Sequence, residues 1–252
     1  MSRGTLFLVP NTLDLGLPPA PVDDVLPAVV LRTAARLHHW AAEDAKTARA
    51  FLKRVDALVP LAAPLQQLSI VELPRPRKGS REPVPGAAWQ ALLAPALAGE
   101  DIGLISEAGL PAIADPGAAL VAAAHAAGVP VHPLVGPSAL MLALAASGLE
   151  GQSFAFVGYP PQDPTARAAR LRELEALSRR HRQTQLMIET PYRNEALLQA
   201  LLEVLAPETW LSVSAGLTTA AAFTRSAAVS AWRQAPSTLP LRVPAVFALL
   251  AR

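Results

Sequence analysis

Short unbroken apolar runs and longer periodic stretches take turns along the chain, most clearly over residues 101–139. Ile102 to Ile105 is a short apolar run that reads as a strand buried on both faces. A loop carrying Gly109 and Pro111 follows, and Asp115-Pro116-Gly117 reads as a helix start, with Asp115 as N-cap. The alanine-rich stretch 117–127 is expected to be helical, to stop at Gly128, and to lead into a strand from Val129 to Val135. Gly136-Pro137-Ser138 then resembles a second helix start. Strand, glycine loop and helix, twice over, is the grammar of an open parallel α/β sheet, and such sheets bind ligands outside the carboxyl ends of their strands. Both loops lie there and are read as the floor of a small-molecule site.

The rest of the chain extends this pattern. Thr5 to Val9 reads as an opening strand ending at Pro10, and residues 22–38 carry a helical repeat. His39 to Glu43 reads as a short strand, with His38-His39 at the preceding helix end, and Asp44 caps a helix to about Val55. Residues 74–86 are Pro-rich, basic and aperiodic, hence a loop, and a helix is expected over 86–98. Past residue 148 the composition changes. Strands are expected at 153–158 and 185–189, a helix capped by Asp163 runs to about His181, and Thr190-Pro191 opens another to about Leu205. Residues 210–215, 221–229 and 244–250 read as strands with no long helix between them. The predicted architecture is α/β in two parts: a parallel sheet over residues 1–148 and a mixed sheet over 149–252.

Composition narrows the class. Hydrophobic residues make up 52% of the 252 and charged residues 17%, which suits a packed globular chain. A net charge of +2 accepts an anionic partner without demanding nucleic acid. The absence of cysteine removes disulfides and thiolate chemistry and fits a cytoplasmic protein. The opening MSRGTLFLVPN has too short an apolar run for a signal peptide, and no segment reaches the roughly 18 apolar residues of a membrane span. The five histidines lack metal-ligand spacing, so no metal is expected.

The loop SEAGLPAIADPG resembles a pattern, S-D-A-G-x-P-x-x-x-D-P-G, of the tetrapyrrole methylase superfamily, in its branch of small-subunit ribosomal RNA 2′-O-methyltransferases. LFLVP, AEDAKTARAFL, LVGPSALMLALAASGL, MIETPYRNEALLQAL and PAVFALLAR resemble further blocks of that superfamily, in its order and at similar spacing. The resemblance covers nearly the whole chain. It implies a two-domain fold with S-adenosylmethionine in a cleft between the domains, and a homodimer. Carried over residue by residue, it sets Pro10, Thr12, Ala108, Gly109, Leu110, Ile113, Ser138 and Ala139 along the cofactor, with Glu189 and Ala215 from the second domain. Glu107 and Glu43 become the candidate catalytic groups, and Lys46 and Arg193 candidate substrate contacts. Gly109 lets the backbone approach a ligand closely, and Leu110 is pushed into an extended conformation by Pro111.

Departures from the branch bear on the acceptor. N-T-L-D-L-G stands where that branch has T-P-x-G-N-L, and SAGLTTAAAF replaces a charged block resembling R-E-L-T-K-x-x-E. These changes remove groups that hold phosphate or activate a ribose hydroxyl. The G-G-D-P block of the tetrapyrrole branch is absent too. RNA is the leading acceptor, a small molecule the alternative, and a non-catalytic cofactor-binding protein a third reading. A dehydrogenase is disfavoured because no G-x-G-x-x-G follows the first strand.

Overall fold

The run after Gly4 becomes β1 (Leu6–Val9), and α1 (Ala28–Arg36) leads on to β2 (His39–Ala42), α2 (Ala45–Asp56) and β3 (Ser69–Glu72). Two short helices, α3 (Gly86–Leu92) and α4 (Ala94–Leu97), precede β4 (Ile102–Ile105), α5 (Ala118–Ala126) and β5 (Val131–Pro133). The computed structural model describes residues 2–13, 21–76, 83–235 and 243–252. The chain divides into two compact units, Met1–Pro137 and Ser138–Arg252.

In the first unit the described strands form a wholly parallel sheet in the order β3-β2-β4-β1-β5. Side chains alternate between its faces. Leu6, Ile102 and Leu104 pack with Trp89, Leu93 and Leu120 on one side, while Val9, Ala42 and Ile105 pack with Val30, Phe51 and Leu52 on the other. Burying an aliphatic or aromatic side chain contributes about 1.5–3 kcal/mol, so two covered faces give a short-stranded sheet its core. Parallel strands joined by helices take the right-handed crossover, which sends the helices to both faces. The chain leaves β1 towards β2 on one side and leaves β4 towards β5 on the other. Adjacent β1 and β4 therefore flank the reversal of winding where such sheets bind ligands. Val9 and Ala42 both stand opposite Ile105, so β1, β2 and β4 end at one level.

Within the second unit, α6 (Ala139–Ser147) is followed by β6 (Phe154–Phe156), α7 (Pro164–His181), β7 (Thr184–Glu189) and α8 (Asn194–Val204). β8 (Trp210–Ala215), β9 (Phe223–Ala228), α9 (Val229–Gln234) and β10 (Ala245–Leu250) complete it. The sheet order is β6-β7-β10-β8-β9, with β6 parallel to β7 and the remaining pairs antiparallel, the mixed sheet expected from the pattern. Asp163 caps α7 by accepting from the Ala166 amide at 2.8 Å, and Asp44 caps α2 through the Thr47 amide at 2.6 Å.

Several expectations are corrected. The helix expected at 22–38 is a 3-10 turn, Val22–Asp24, separated from α1 by Pro27, which resets the backbone. The helix expected over 86–98 breaks at Leu93, two residues before Pro95. β3 is a strand that the pattern did not reveal. It is an edge strand with mostly exposed side chains, so it shows no apolar alternation. The division between the units falls at 137/138 rather than near 148, because Leu140, Ala143 and Leu144 of α6 pack with Leu186, Val246 and Ala248 of the second sheet.

Gly103 of central β4 lies under the Trp40 ring, where a Cβ would stand 2.7 Å from two ring carbons. Trp40 is 2% exposed and wedged edge-on against Phe51, so it has little freedom to give way. Gly103→Ala should destabilise the protein by about 1–3 kcal/mol, read as a lower urea midpoint at unchanged slope.

Candidate functional site

The backbone beyond the ends of β1 and β4 has no further strand to pair with, and it is held by a reciprocal bridge. The Asn11 amide donates to the Gly109 carbonyl at 3.0 Å, and the Gly109 amide donates to the Asn11 carbonyl at 2.9 Å. Asn11, 3% exposed, also donates from Nδ2 to the carbonyls of Ser106 (3.2 Å) and Glu107 (3.0 Å), while its Oδ1 accepts from the Thr12 amide. Buried Thr12 accepts from the Arg54 guanidinium at 2.8 Å. One asparagine thus ties the exit of β1 to the loop after β4 and satisfies buried carbonyls that water cannot reach.

The third strand ending here adds charge. Just past β2, the Glu43 amide donates to the Ile105 carbonyl, and the Glu43 carboxylate accepts from the Glu107 amide at 3.1 Å. Arg75 donates to the Glu43 carbonyl at 2.8 Å. The carboxyls of Glu43, Glu107 and Asp115 influence one another. Partial burial, then Glu43 and Asp44, push the Glu107 carboxyl above its ordinary value, and Arg75 opposes them. Burial is also the first cause for half-buried Asp115, which is pushed up to about 6, with Glu43 and Glu107 adding to the rise. The Ser106 side chain pulls the other way. That hydroxyl, on a residue 3% exposed, has no hydrogen-bond partner of ordinary geometry, yet it stands near enough to Asp115 to favour its ionised form. Asp44 is held below the ordinary range by the Thr47 amide first, as expected of a cap.

Asp115 is therefore not the helix cap that Asp-Pro-Gly suggested. The N-cap of α5 is Gly117, without a side-chain bond, and Ala112 and Ala114 both sit in the left-handed region, at φ 67° and 65°. That backbone path displaces Asp115 from the helix start. Left-handed alanine costs about 1–2 kcal/mol per residue, so two in one loop mark a conformation imposed by its surroundings.

Other sequence candidates are placed within their own units. Pro10 packs against Gly136, where a Cβ would stand 2.2 Å from the ring, so the β1 and β5 exits touch. Ala108, Gly109 and Leu110 are half-buried and Ile113 is exposed, all on the loop after β4, and Lys46 is exposed on α2. Ser138 is the N-cap of α6 and Ala139 its first residue. Glu189, 4% exposed at the end of β7, pairs with Arg193 at 2.8 Å and accepts from the Thr190 amide at 2.7 Å, so Arg193 is engaged in an ion pair. Ala215 is buried at the end of β8, and the neutral stretch after it turns through Gly216 and Thr218, both left-handed. Sequence reasoning passed over Asn11, Ser106 and Asp115. An asparagine directly after a strand-ending proline was the available signal for the first. Among the described residues no group of His, Asp or Glu could hold a metal ion, and no helix is long and apolar enough to cross a membrane.

A parallel sheet whose reversal point opens onto a glycine loop and carboxylates, followed by a mixed five-stranded sheet, defines an α/β protein built to hold a small ligand. Residues 30–228 match the family model of the tetrapyrrole (corrin/porphyrin) methylases, and the chain belongs to that family. It is similar to the ribosomal RNA small subunit methyltransferase I of Vibrio cholerae, 44% identical over 119 residues, which are 47% of this chain and 40% of that one. The enzyme of the same name from Pseudomonas aeruginosa is 34% identical over 204 residues, 81% of this chain and 62% of its own. The matched stretch thus spans less than two thirds of either relative. The fold is shared with a uroporphyrin III C-methyltransferase from Thermus thermophilus (TM-score 0.55, 17% identity, 98% of this chain and 97% of that one). A conserved hypothetical protein from Aeropyrum pernix shares it as well (TM-score 0.62, 18% identity, 100% and 86%).

The Asp115 shift has a consequence for stability. An unfolded aspartate titrates near 3.8 and this one at about 6, so the folded state holds the proton more tightly. The group's contribution is fully present below about pH 3.8 and is lost as pH rises through about 6. Asp115→Asn, which cannot ionise, should therefore melt higher than wild type at about pH 8, with the difference shrinking towards pH 4, measured by calorimetry across that range.

Proposed function

We propose that this chain is an S-adenosylmethionine-dependent methyltransferase whose acceptor is a ribose 2′-hydroxyl of small-subunit ribosomal RNA, acting in the cytoplasm as a homodimer. The observation that carries the reading is the bridged exit of β1 and β4, formed by residues of the motifs that resemble the family's cofactor loops. The residues present suit that cofactor. Gly109 has φ +73°, and a Cβ there would meet nothing closer than the Pro137 carbonyl oxygen at 3.6 Å, so its backbone is open to a ligand. Carboxylates beside it suit hydroxyl groups and a cationic centre, and the cofactor when bound supplies a methyl group on a sulfonium.

Pro10, Thr12, Ala108, Gly109, Leu110 and Ile113 hold the cofactor in this proposal, and Glu43 and Glu107 receive the acceptor hydroxyl, with Lys46 contacting substrate. The arrangement works by alignment, since displacement at a methyl carbon needs donor and acceptor held in line. In the second unit, Ser138, Ala139, Glu189 and Ala215 are assigned by motif position alone, and Arg193 there is an ion-pair partner of Glu189. The uncharged turn after β8 favours a small-molecule acceptor as the second reading, because it removes cations that would meet phosphate.

Cofactor or its demethylated product should bind at roughly micromolar affinity (about −8 kcal/mol) in calorimetry. Gly109→Leu should abolish that heat while the circular dichroism spectrum is unchanged. No heat from folded wild type would sink the reading. Labelled methyl supplied with cell extract should appear in the RNA fraction. Label in the small-molecule fraction would select the alternative.

RNA affinity should fall steeply with salt, by about 0.7–0.9 log units per log unit for each phosphate contacted. Arg172, Arg179 and Arg180 are exposed on α7, and Arg75 lies before the basic loop, whose Arg77, Lys78 and Arg81 are outside the described residues. Neutralising these cations should flatten the salt slope and leave cofactor affinity unchanged. Light scattering should return twice the mass of one chain.

A further inference from the structure

The carboxylates at the exits of β2 and β4 do not share one environment. Glu43 uses a carboxylate oxygen to hold the Glu107 amide, and Arg75 binds the Glu43 carbonyl beside it. Glu107 is exposed. Asp115 differs from both. It is half-buried, caps no helix, and none of the groups acting on it is cationic. The two left-handed alanines on its N-terminal side hold it out of the helix start. An independent feature points into the same place. The Ser106 hydroxyl is buried, lacks a hydrogen-bond partner among the described residues, and faces Asp115. A buried hydroxyl with no partner costs about 1–3 kcal/mol, so its place beside a carboxylate calls for a role that offsets the cost.

We propose that Asp115 is the general base of the transfer, accepting the proton of the acceptor hydroxyl, and that Ser106 is the positioning residue that orients its carboxylate. The assignment rests on the methyltransferase reading. The acceptor O–H bond breaks, its proton passes to a carboxylate oxygen of Asp115, and the oxygen's electron pair forms the new bond to methyl. The pair of the old methyl–sulfur bond stays on sulfur, so the sulfonium charge is discharged as the proton leaves. A base suits this step when its affinity for protons lies just below working pH, where it is ionised yet still basic. Burial and the neighbouring Glu43 and Glu107 push Asp115 in that direction, and Ser106 restrains the rise.

The test combines rate, titration and binding. Asp115→Asn should lower turnover on the RNA acceptor by roughly 10²-fold or more, the scale of general-base catalysis, with cofactor affinity unchanged by calorimetry. Wild-type turnover should rise through an acid limb near pH 6 and then level, and that limb should vanish in Asp115→Asn. Ser106→Ala removes the group that favours ionisation and should move the limb to higher pH. Glu43→Gln removes a like charge and should move it lower. A residue with a merely structural role would move neither. The carboxyl carbon of Asp115, followed by NMR in wild type and Ser106→Ala without substrate, should titrate at the same two values as the limbs, which decides the matter should Asp115→Asn fail to fold. Ordinary carboxylate titration in wild type, or wild-type turnover in Asp115→Asn, overturns the assignment. Failure of wild type to transfer methyl to any fraction overturns the methyltransferase reading and this inference with it. Transfer that proceeds without Asp115 overturns this inference alone.

Discussion

Two backbone segments leave the centre of a parallel sheet side by side, and every polar group on them must find a partner without a further strand. Asn11 meets this constraint. Its main chain bridges Gly109 in both directions, and its side chain takes the carbonyls of Ser106 and Glu107 and the amide of Thr12. Because that residue is buried, each of these groups would otherwise carry a desolvation cost of a few kcal/mol. Gly109 can join the bridge in the left-handed region because it has no Cβ. The loop beyond it takes its path from this anchor. Asp115, Glu107 and the Ser106 hydroxyl come together as a result of where the backbone is pinned.

The electrostatics follow from the topology. β1, β2 and β4 end at one level, so the residues just after them crowd into a small volume. Glu43 and Glu107 arrive there from different strands. Cations are present at the margin: Arg75 sits on the Glu43 carbonyl and Arg54 on Thr12. Neither acts on Asp115, whose environment stays unfavourable to charge. A carboxyl in such a place holds a proton near neutrality, which is the property that proton transfer from a hydroxyl requires.

The second unit is put together differently. β10 lies between β7 and β8 and runs antiparallel to both, and Arg193 folds back on Glu189 at the end of β7. That pair answers locally a question the sequence left open between an ion pair and a substrate contact. α6 belongs with this sheet because its leucines pack there, although its cap residue Ser138 ends a motif that begins in the first unit.

Apolar patterning by itself determined both sheets and most helices, since a buried strand or an amphipathic helix must show its period in the sequence. Asp44 and Asp163 were legible as caps for a similar reason: the interaction spans three residues and needs no distant partner. The family was legible too, because its motifs lie in continuous stretches of chain. Edge strand β3 was invisible, because its exposed side chains carry no burial signal. The character of Asp115 was misread from local sequence alone. Asp-Pro-Gly specifies a good helix start, but two left-handed alanines, fixed by contacts from β1 and β4, place the cap at Gly117. Only tertiary structure set Asn11, Ser106 and Asp115 in their roles. A hydrogen bond or a charge acts across space, between residues some ninety positions apart in the chain, and no local pattern records that separation.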